Sequence, residues 1–164
     1  MKNKAIVIFC IICCLSCDKS TDSTEVRVSV FLYESCPVAQ YMTLPLNEIY
    51  EEFSSEKISF TGYFPNILST PETIDAFQQQ YAILFNCVDD DGGAMVELLG
   101  PNVYAEVFVE EDGVIVYRGM IDNSYSALGQ WSPADKYYLY DVLTAIFNGE
   151  EVPWEGNTAV GCLI

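Results

Sequence analysis

The sequence predicts an α/β fold with a mixed central sheet, and three observations carry that prediction. Apolar runs of strand length recur between segments whose apolar residues follow helical spacing. The elements read in the order β-α-β-α-β-α-β-β-α, a plan of strands joined by helical crossovers. One late hairpin adds antiparallel strands to these otherwise parallel connections. With 164 residues, 51% hydrophobic and 13% aromatic, the chain is long enough for one domain with a single core.

The elements follow in turn. Val26, Val28, Val30 and Leu32 alternate with Arg27, Ser29, Phe31 and Tyr33, a β-branched and aromatic strand. The strand stops at Glu34-Ser35-Cys36-Pro37. Met42, Leu46, Ile49, Tyr50 and Phe53 then mark one side of a helix. Pro37 suits its first position, where no N–H is needed, and Pro45 inside it is expected to kink it. Lys57 to Phe64 reads as a second strand. Thr70-Pro71-Glu72 opens a helix with a capping hydroxyl followed by proline, and Ile74, Phe77 and Tyr81 form its apolar side.

Ala82 to Cys87 is an apolar run of buried-strand length, interrupted only by Asn86. Asp89-Asp90-Asp91-Gly92-Gly93 breaks it, and Ala94 to Leu99 is a short helix closed by Gly100. The acidic run lacks the D-x-D-x-D-G spacing and the twelfth-position Glu of a calcium loop, so it reads as a solvated turn. Glu106–Glu110 and Val114–Tyr117 flank Glu111-Asp112-Gly113, a hairpin signal. Ser132-Pro133-Ala134-Asp135 is expected to cap a last helix striped by Leu139, Val142, Leu143, Ile146 and Phe147 and ended by Gly149. Tyr137-Tyr138-Leu139-Tyr140 reads as part of that helix's packing face.

Composition narrows the function. Twenty-four acidic residues against seven basic give a net charge of −17, which argues against a nucleic-acid partner. There is no histidine, so a Ser-His or Cys-His catalytic pair and a histidine-ligated metal are excluded. Neither a metal site nor a cofactor loop is visible in the sequence. Seven cysteines remain to be explained, four of them within the first 17 residues.

Those first residues have a basic start, Met1-Lys2-Asn3-Lys4, and an apolar run from Ala5 to Leu15. This is the pattern of a secretory signal, and the run is short for a bilayer span. It ends in Cys14-Leu15-Ser16-Cys17 with polar Asp18-Lys19-Ser20 behind it. That ending resembles a bacterial lipobox, although Cys14 stands where leucine is usual. The resemblance implies residues 1–16 as a lipoprotein signal, lipid on Cys17 and a polar tether over 17–25. It also implies a location in the bacterial cell envelope, facing the periplasm or exterior. An ordinary signal peptide and an uncleaved anchor helix are the alternatives. Removal of residues 1–16 takes away Lys2 and Lys4 and leaves −19 from side chains.

Cys36 ends a strand and starts a helix. Unpaired N–H groups and the helix dipole at such a turn favour the thiolate, which is the nucleophile. The turn also lies beyond the carboxyl end of a strand, where open α/β sheets place their sites. The other reading is a structural cysteine, free or bridged.

Residues 26–164 resemble the thioredoxin-like superfamily, and within it the redoxin domains related to alkyl hydroperoxide reductase and thiol-specific antioxidant proteins. Three segments carry the likeness: Glu34 to Tyr41 around Cys36-Pro37, Val107 to Asn123, and Ala159-Val160-Gly161-Cys162-Leu163-Ile164. The resemblance implies a three-layer sandwich with helices flanking a central mixed sheet. It puts Cys36 in the place of the nucleophilic cysteine and offers Cys162 a resolving role. It has no counterpart role for Asp122-Asn123. The partners it implies are protein thiols and disulfides or a peroxide-type oxidant, with no cofactor.

Three departures stand out. Ala39 occupies the place of the second cysteine of a Cys-x-x-Cys pair. Tyr33 stands where a peroxide-holding threonine is usual. Tyr104-Ala105 replaces the cis-proline that flanks the site, and a cis peptide before alanine costs about 2.5–4 kcal/mol, so a trans bond is expected. With Cys17 lipidated, Cys36, Cys87 and Cys162 remain. Cys87 at the end of an apolar strand reads as a small buried residue. Two functions stay open: a thiol-dependent oxidoreductase working through Cys36, with Cys162 resolving, and a non-catalytic binding or structural module with Cys36–Cys162 as a static staple. A sulfur exposed in a cleft favours the first; a buried Cys36 with no accessible path favours the second.

Overall fold

The computed structural model describes residues 24–164. The signal segment 1–16, Cys17 and the tether up to residue 23 lie outside the described residues. At the tether's end, Glu25 is already tied down. Its N–H donates to Asp112 Oδ1 at 2.9 Å, and its carbonyl accepts the Asp112 N–H.

The elements are β1 (Val26–Phe31), α1 (Pro37–Phe53), β2 (Ile58–Phe64), α2 (Pro71–Gln80), β3 (Asn86–Asp89) and α3 (Ala94–Leu99). There follow β4 (Val107–Glu111), β5 (Val114–Gly119), β6 (Tyr125–Ala127), β7 (Gln130–Trp131) and α4 (Tyr138–Asn148). Five strands form one sheet in the order β3-β2-β1-β4-β5. β1 runs parallel to β2, and β2 to β3. β4 is antiparallel to both β1 and β5. The sheet is therefore mixed, as the crossovers and the hairpin required.

Alternation along the strands sorts the core into two faces. Val26, Val28 and Val30 of β1 and Val107 and Val109 of β4 join the larger cluster, with Met42, Leu46 and Ile49 of α1 and Leu139, Val142 and Leu143 of α4. Phe31 and Phe108, one residue out of step, meet Leu99 of α3 on the opposite side. Helices thus cover both faces of the sheet, giving the three-layer sandwich. Pro45 does not end α1, which runs on to Phe53.

Four local expectations are corrected. The third strand lies at Asn86–Asp89, not at Ala82–Cys87. Ala82 takes a left-handed φ of 49°, and Asn47 with Gln78 at the end of α2 supplies hydrogen bonds to the segment in place of a neighbouring strand. Asn47 Nδ2 donates to the Tyr81 and Ala82 carbonyls, and its Oδ1 accepts the Leu84 N–H. Ile83 and Phe85 are apolar because they are buried, not because they pair.

The last helix starts at Tyr138 without a side-chain cap. Residues 132–137 instead follow Asn123, whose Oδ1 accepts the Asp135 and Lys136 N–H groups at 3.0 Å each. Asp90 is buried rather than solvated. Its carboxylate accepts the Met95 and Val96 N–H groups at the start of α3, the favourable end of a helix for an anion. The small β6–β7 hairpin was absent from the expected order; Tyr125 and Trp131 pack their rings on Tyr41 of α1.

Candidate functional site

Cys36 is the N-cap residue of α1, in extended geometry, with Pro37 at the first helical position. The turn that presents it is closed by backbone bonds. Cys36 N–H donates to the Tyr33 carbonyl at 3.0 Å, and Gln40 N–H to the Cys36 carbonyl at 2.9 Å. Gln40 Nε2 donates to the Glu34 carbonyl at 2.6 Å. The Glu34 carboxylate reaches the start of α2, accepting from Ser69 Oγ at 2.7 Å and Thr73 Oγ1 at 2.6 Å. The turn is thus fastened to β1, α1 and α2, and Cys36 itself is fully buried.

The C-terminal tail lies against this turn. It leaves α4 at Gly149, and Trp154 packs edge-on to Tyr138 while its Nε1 donates to Asp141 Oδ2 at 3.2 Å. Gly156 then forms a parallel bridge with Arg118 on β5. Asn157 fastens the tail to β5, after which residues 158–161 lead back towards the Cys36 turn. There the Cys162 carbonyl accepts the Tyr104 N–H at 2.9 Å, Leu163 forms an antiparallel bridge with Val103, and Ile164 N–H donates to the Asn102 carbonyl at 3.3 Å.

This approach requires glycine at 161, since a Cβ there would run into the Tyr104 carbonyl oxygen. It delivers the half-buried Cys162 thiol against the Cys36 thiol. The Cys162 thiol is pushed up to about 11 from an ordinary 9.0, by burial first and then by Cys36 beside it. The two thiols stand free, not bridged.

Two tyrosines complete the surroundings. The Tyr33 and Tyr104 rings lie 5.2 Å apart, and the Tyr104 hydroxyl accepts from Asn66 Nδ2 at 3.0 Å. Burial raises the Tyr104 phenol above its ordinary value; the Asn66 bond opposes this, and Tyr33, Cys36 and Glu34 nearby add to it. The Tyr104–Ala105 peptide is trans, since no cis bond occurs among the described residues. Ala105 carries the geometry of the loop in another way, with a left-handed φ of 68° and its N–H donating to the Phe31 carbonyl at 2.6 Å. Such a conformation costs a non-glycine residue about 1 kcal/mol or more.

Behind the loop, Glu106 is buried against Arg118, with Nη2 and Nε at 2.6 and 3.1 Å from Oε1. Glu106 Oε2 accepts the Asn102 N–H at 2.7 Å, and the Arg118 guanidinium sits 4.8 Å over the Phe108 ring.

Of the residues singled out in the sequence, Cys36, Pro37, Tyr104, Ala105 and Cys162 come together, while Cys17 lies outside the described residues. Cys87 stands apart on β3 behind Gly62, and burial pushes its thiol up to about 12. Glu34, Asn66 and Asn157 escaped the sequence reading because each acts through a partner more than thirty residues away. Among the described residues, no group of three or more acidic or cysteine side chains could hold a metal ion, and no helix is long and apolar enough to cross a membrane. The pair of adjacent thiols is what this site offers chemically: two electrons and two protons can leave it as a disulfide forms.

No protein-family model matches the sequence, and no functionally curated protein does. Solved structures do match. A conserved protein from Geobacillus kaustophilus superposes with a TM-score of 0.77 at 19% identity, over 85% of this chain and 76% of that one. A protein from Sinorhizobium meliloti gives 0.75 at 17% identity, over 85% and 78%. A thioredoxin-like protein from Aeropyrum pernix gives 0.51 at 20% identity, over 58% of this chain and 69% of that one. At such identities the likeness speaks for architecture alone, and that architecture is the thioredoxin-like fold.

Proposed function

We propose that this protein is a thiol–disulfide oxidoreductase of the bacterial cell envelope, lipid-anchored through Cys17, in which Cys36 is the nucleophile and Cys162 resolves. The observation that carries the reading is the C-terminal tail setting the Cys162 thiol against Cys36. This supplies from the far end of the chain the second thiol that Ala39 does not.

The steps balance as follows. The Cys36 thiolate attacks a partner disulfide; a new S–S bond forms, and the partner's second sulfur leaves with the electron pair and takes a proton from solvent. The Cys162 thiolate then attacks the Cys36 sulfur and releases the partner's first sulfur as a thiol. The partner gains two electrons and the pair becomes a disulfide. A peroxide can replace the disulfide as oxidant. In that case Cys36 becomes a sulfenic acid, the peroxide leaves as an alcohol or water, and Cys162 condenses with the sulfenic acid to expel water.

A second reading has its own support. Cys36 is fully buried, which suits a binding or structural module in which the bridged pair is a static staple. One experiment separates the two. The Cys162→Ser variant, incubated with a small disulfide such as oxidised glutathione, traps a mixed disulfide on Cys36 if the thiol reacts. Wild type incubated in the same way forms the Cys36–Cys162 bridge and turns over when a dithiol reductant is supplied. A Cys36 that stays unmodified in the folded variant removes the oxidoreductase reading. Intact mass of the protein purified from membranes reports the lipid on Cys17.

A further inference from the structure

Between the core and the Cys162 thiol lies one residue that holds the tail in place. Asn157 N–H donates to the Arg118 carbonyl at 3.1 Å. Its Oδ1 accepts the Met120 N–H at 2.8 Å, and its Nδ2 donates to the Tyr117 hydroxyl at 3.0 Å. That hydroxyl in turn donates to the Met120 carbonyl at 2.6 Å. Tyr117 is fully buried, so this small network is rooted in the core and not in a surface loop. Gly119 makes room for it: with φ at 148°, a Cβ there would run into Asn157 Oδ1. Three hydrogen bonds, two of them from the side chain, and a tailored gap thus converge on one residue, in a segment with no regular structure of its own.

We infer that Asn157 is a positioning residue for the redox pair: it fixes the root of the five-residue arm that carries Cys162, and so sets the effective concentration of the Cys162 thiol at Cys36. The inference rests on the redox reading of that pair. A bridge that forms within one chain is favoured over a mixed disulfide in proportion to that effective concentration. A short arm with a fixed root holds it high, and an arm freed at its root lets it fall. Asn157 touches neither sulfur and takes no part in electron transfer. Its effect is read in the equilibrium in which two glutathione thiols give up two electrons and two protons, forming oxidised glutathione as the Cys36–Cys162 bond is reduced to two thiols.

The test uses the full protein in glutathione redox buffers, quantifying the bridged and reduced forms of Cys36 and Cys162 by thiol alkylation and peptide mass. Asn157→Ala is expected to favour the reduced form at least about tenfold relative to wild type. Tyr117→Phe keeps the Asn157 Oδ1 bond but removes the Nδ2 partner and the hydroxyl's own bond to the Met120 carbonyl, and is expected to shift the equilibrium by a smaller factor in the same direction. Urea unfolding of both redox forms separates positioning from plain destabilisation. A positioning role makes the bridged form lose more stability than the reduced form, whereas a merely structural role lowers both equally. A folded Asn157→Ala variant with a wild-type equilibrium overturns the inference. If that variant does not fold, Asn157→Asp, which keeps the Oδ1 acceptor and loses the Nδ2 donor, carries the same expectation at about threefold, and no shift there overturns it. A wild-type protein that never forms the Cys36–Cys162 bridge in oxidised glutathione removes the redox reading itself, and the inference falls with it.

Discussion

The two cysteines of the site are held by unlike means. Cys36 sits where β1 gives way to α1, behind a wall of core side chains and fastened by Glu34 to α2. Cys162 sits on an irregular tail whose hold comes from backbone bridges, one asparagine and glycines that permit close approach. The first is fixed by burial of apolar surface, which the whole domain shares. The second is fixed by a handful of polar contacts that can be removed one at a time. In a site of two thiols, this makes one arm the reference and the other the adjustable part.

The comparison can be broken most forcefully from the core side. Leu46 of α1 is fully buried, and Leu46→Ala is expected to cost about 3 kcal/mol of folding stability, measured by urea unfolding. The folded variant should keep the wild-type Cys36–Cys162 equilibrium with glutathione. A large shift in that equilibrium would show that core and tail are not separable.

Alkaline pH gives the next effect. Burial holds the Cys87 thiol up to about 12 and burial with Cys36 holds Cys162 up to about 11, both above an ordinary 9.0. Tyr117 is raised as well, by burial first. Each folded value lies above the unfolded one, so the fold favours the neutral form. The stability this contributes is complete below pH 9 and is lost as pH rises through 11 and 12. The reduced protein should therefore lose urea resistance between pH 9 and 12, by a few kcal/mol at most for Cys87. Cys87→Ala should flatten the upper part of the curve. An unchanged slope in that variant would remove Cys87 as the cause.

On the tail side, Gly161→Ala sets a Cβ against the Tyr104 carbonyl. The tail must shift, and the expected loss is about 1 kcal/mol in stability together with faster alkylation of Cys36 by iodoacetamide, as its cover loosens. Unchanged alkylation would show that the tail is not what shields Cys36. The smallest effect is expected at Ala105→Gly, which relieves the left-handed φ of 68° but gives up a buried methyl. A net gain below about 1 kcal/mol follows, and a clear loss would mean that the methyl outweighs the strain.

The rigid half of this comparison was largely legible in the sequence. Alternation at Val26, Val28 and Val30, proline at the first turn of α1 and the Glu111-Asp112-Gly113 hairpin each report a local rule, and the sheet followed from them. Cys36 was legible for the same reason, as a residue between a strand and a helix. What misled was apolar character without pairing: Ile83 and Phe85 are buried from an irregular segment that Asn47 of α1 and Gln78 of α2 hold by hydrogen bonds. What stayed hidden was long-range polar contact. Nothing near Asn157 in sequence points to Tyr117, 40 residues earlier, and nothing near Glu34 points to Thr73. Cys162 entered only through its resemblance to a terminal cysteine in similar proteins; spacing alone could not have placed it beside Cys36.

The seat of the tail on β5 has a further consequence, for solubility. β5 is an edge strand of the sheet, and a bare edge is a template for pairing with another chain. Gly156 and Asn157 cover part of that edge before the tail turns towards the thiols. The residues that guard the edge are therefore not those that cover Cys36. A change confined to the last few residues therefore leaves the capped part of the edge in place, and the cover over the thiols can be altered without baring a template for self-association.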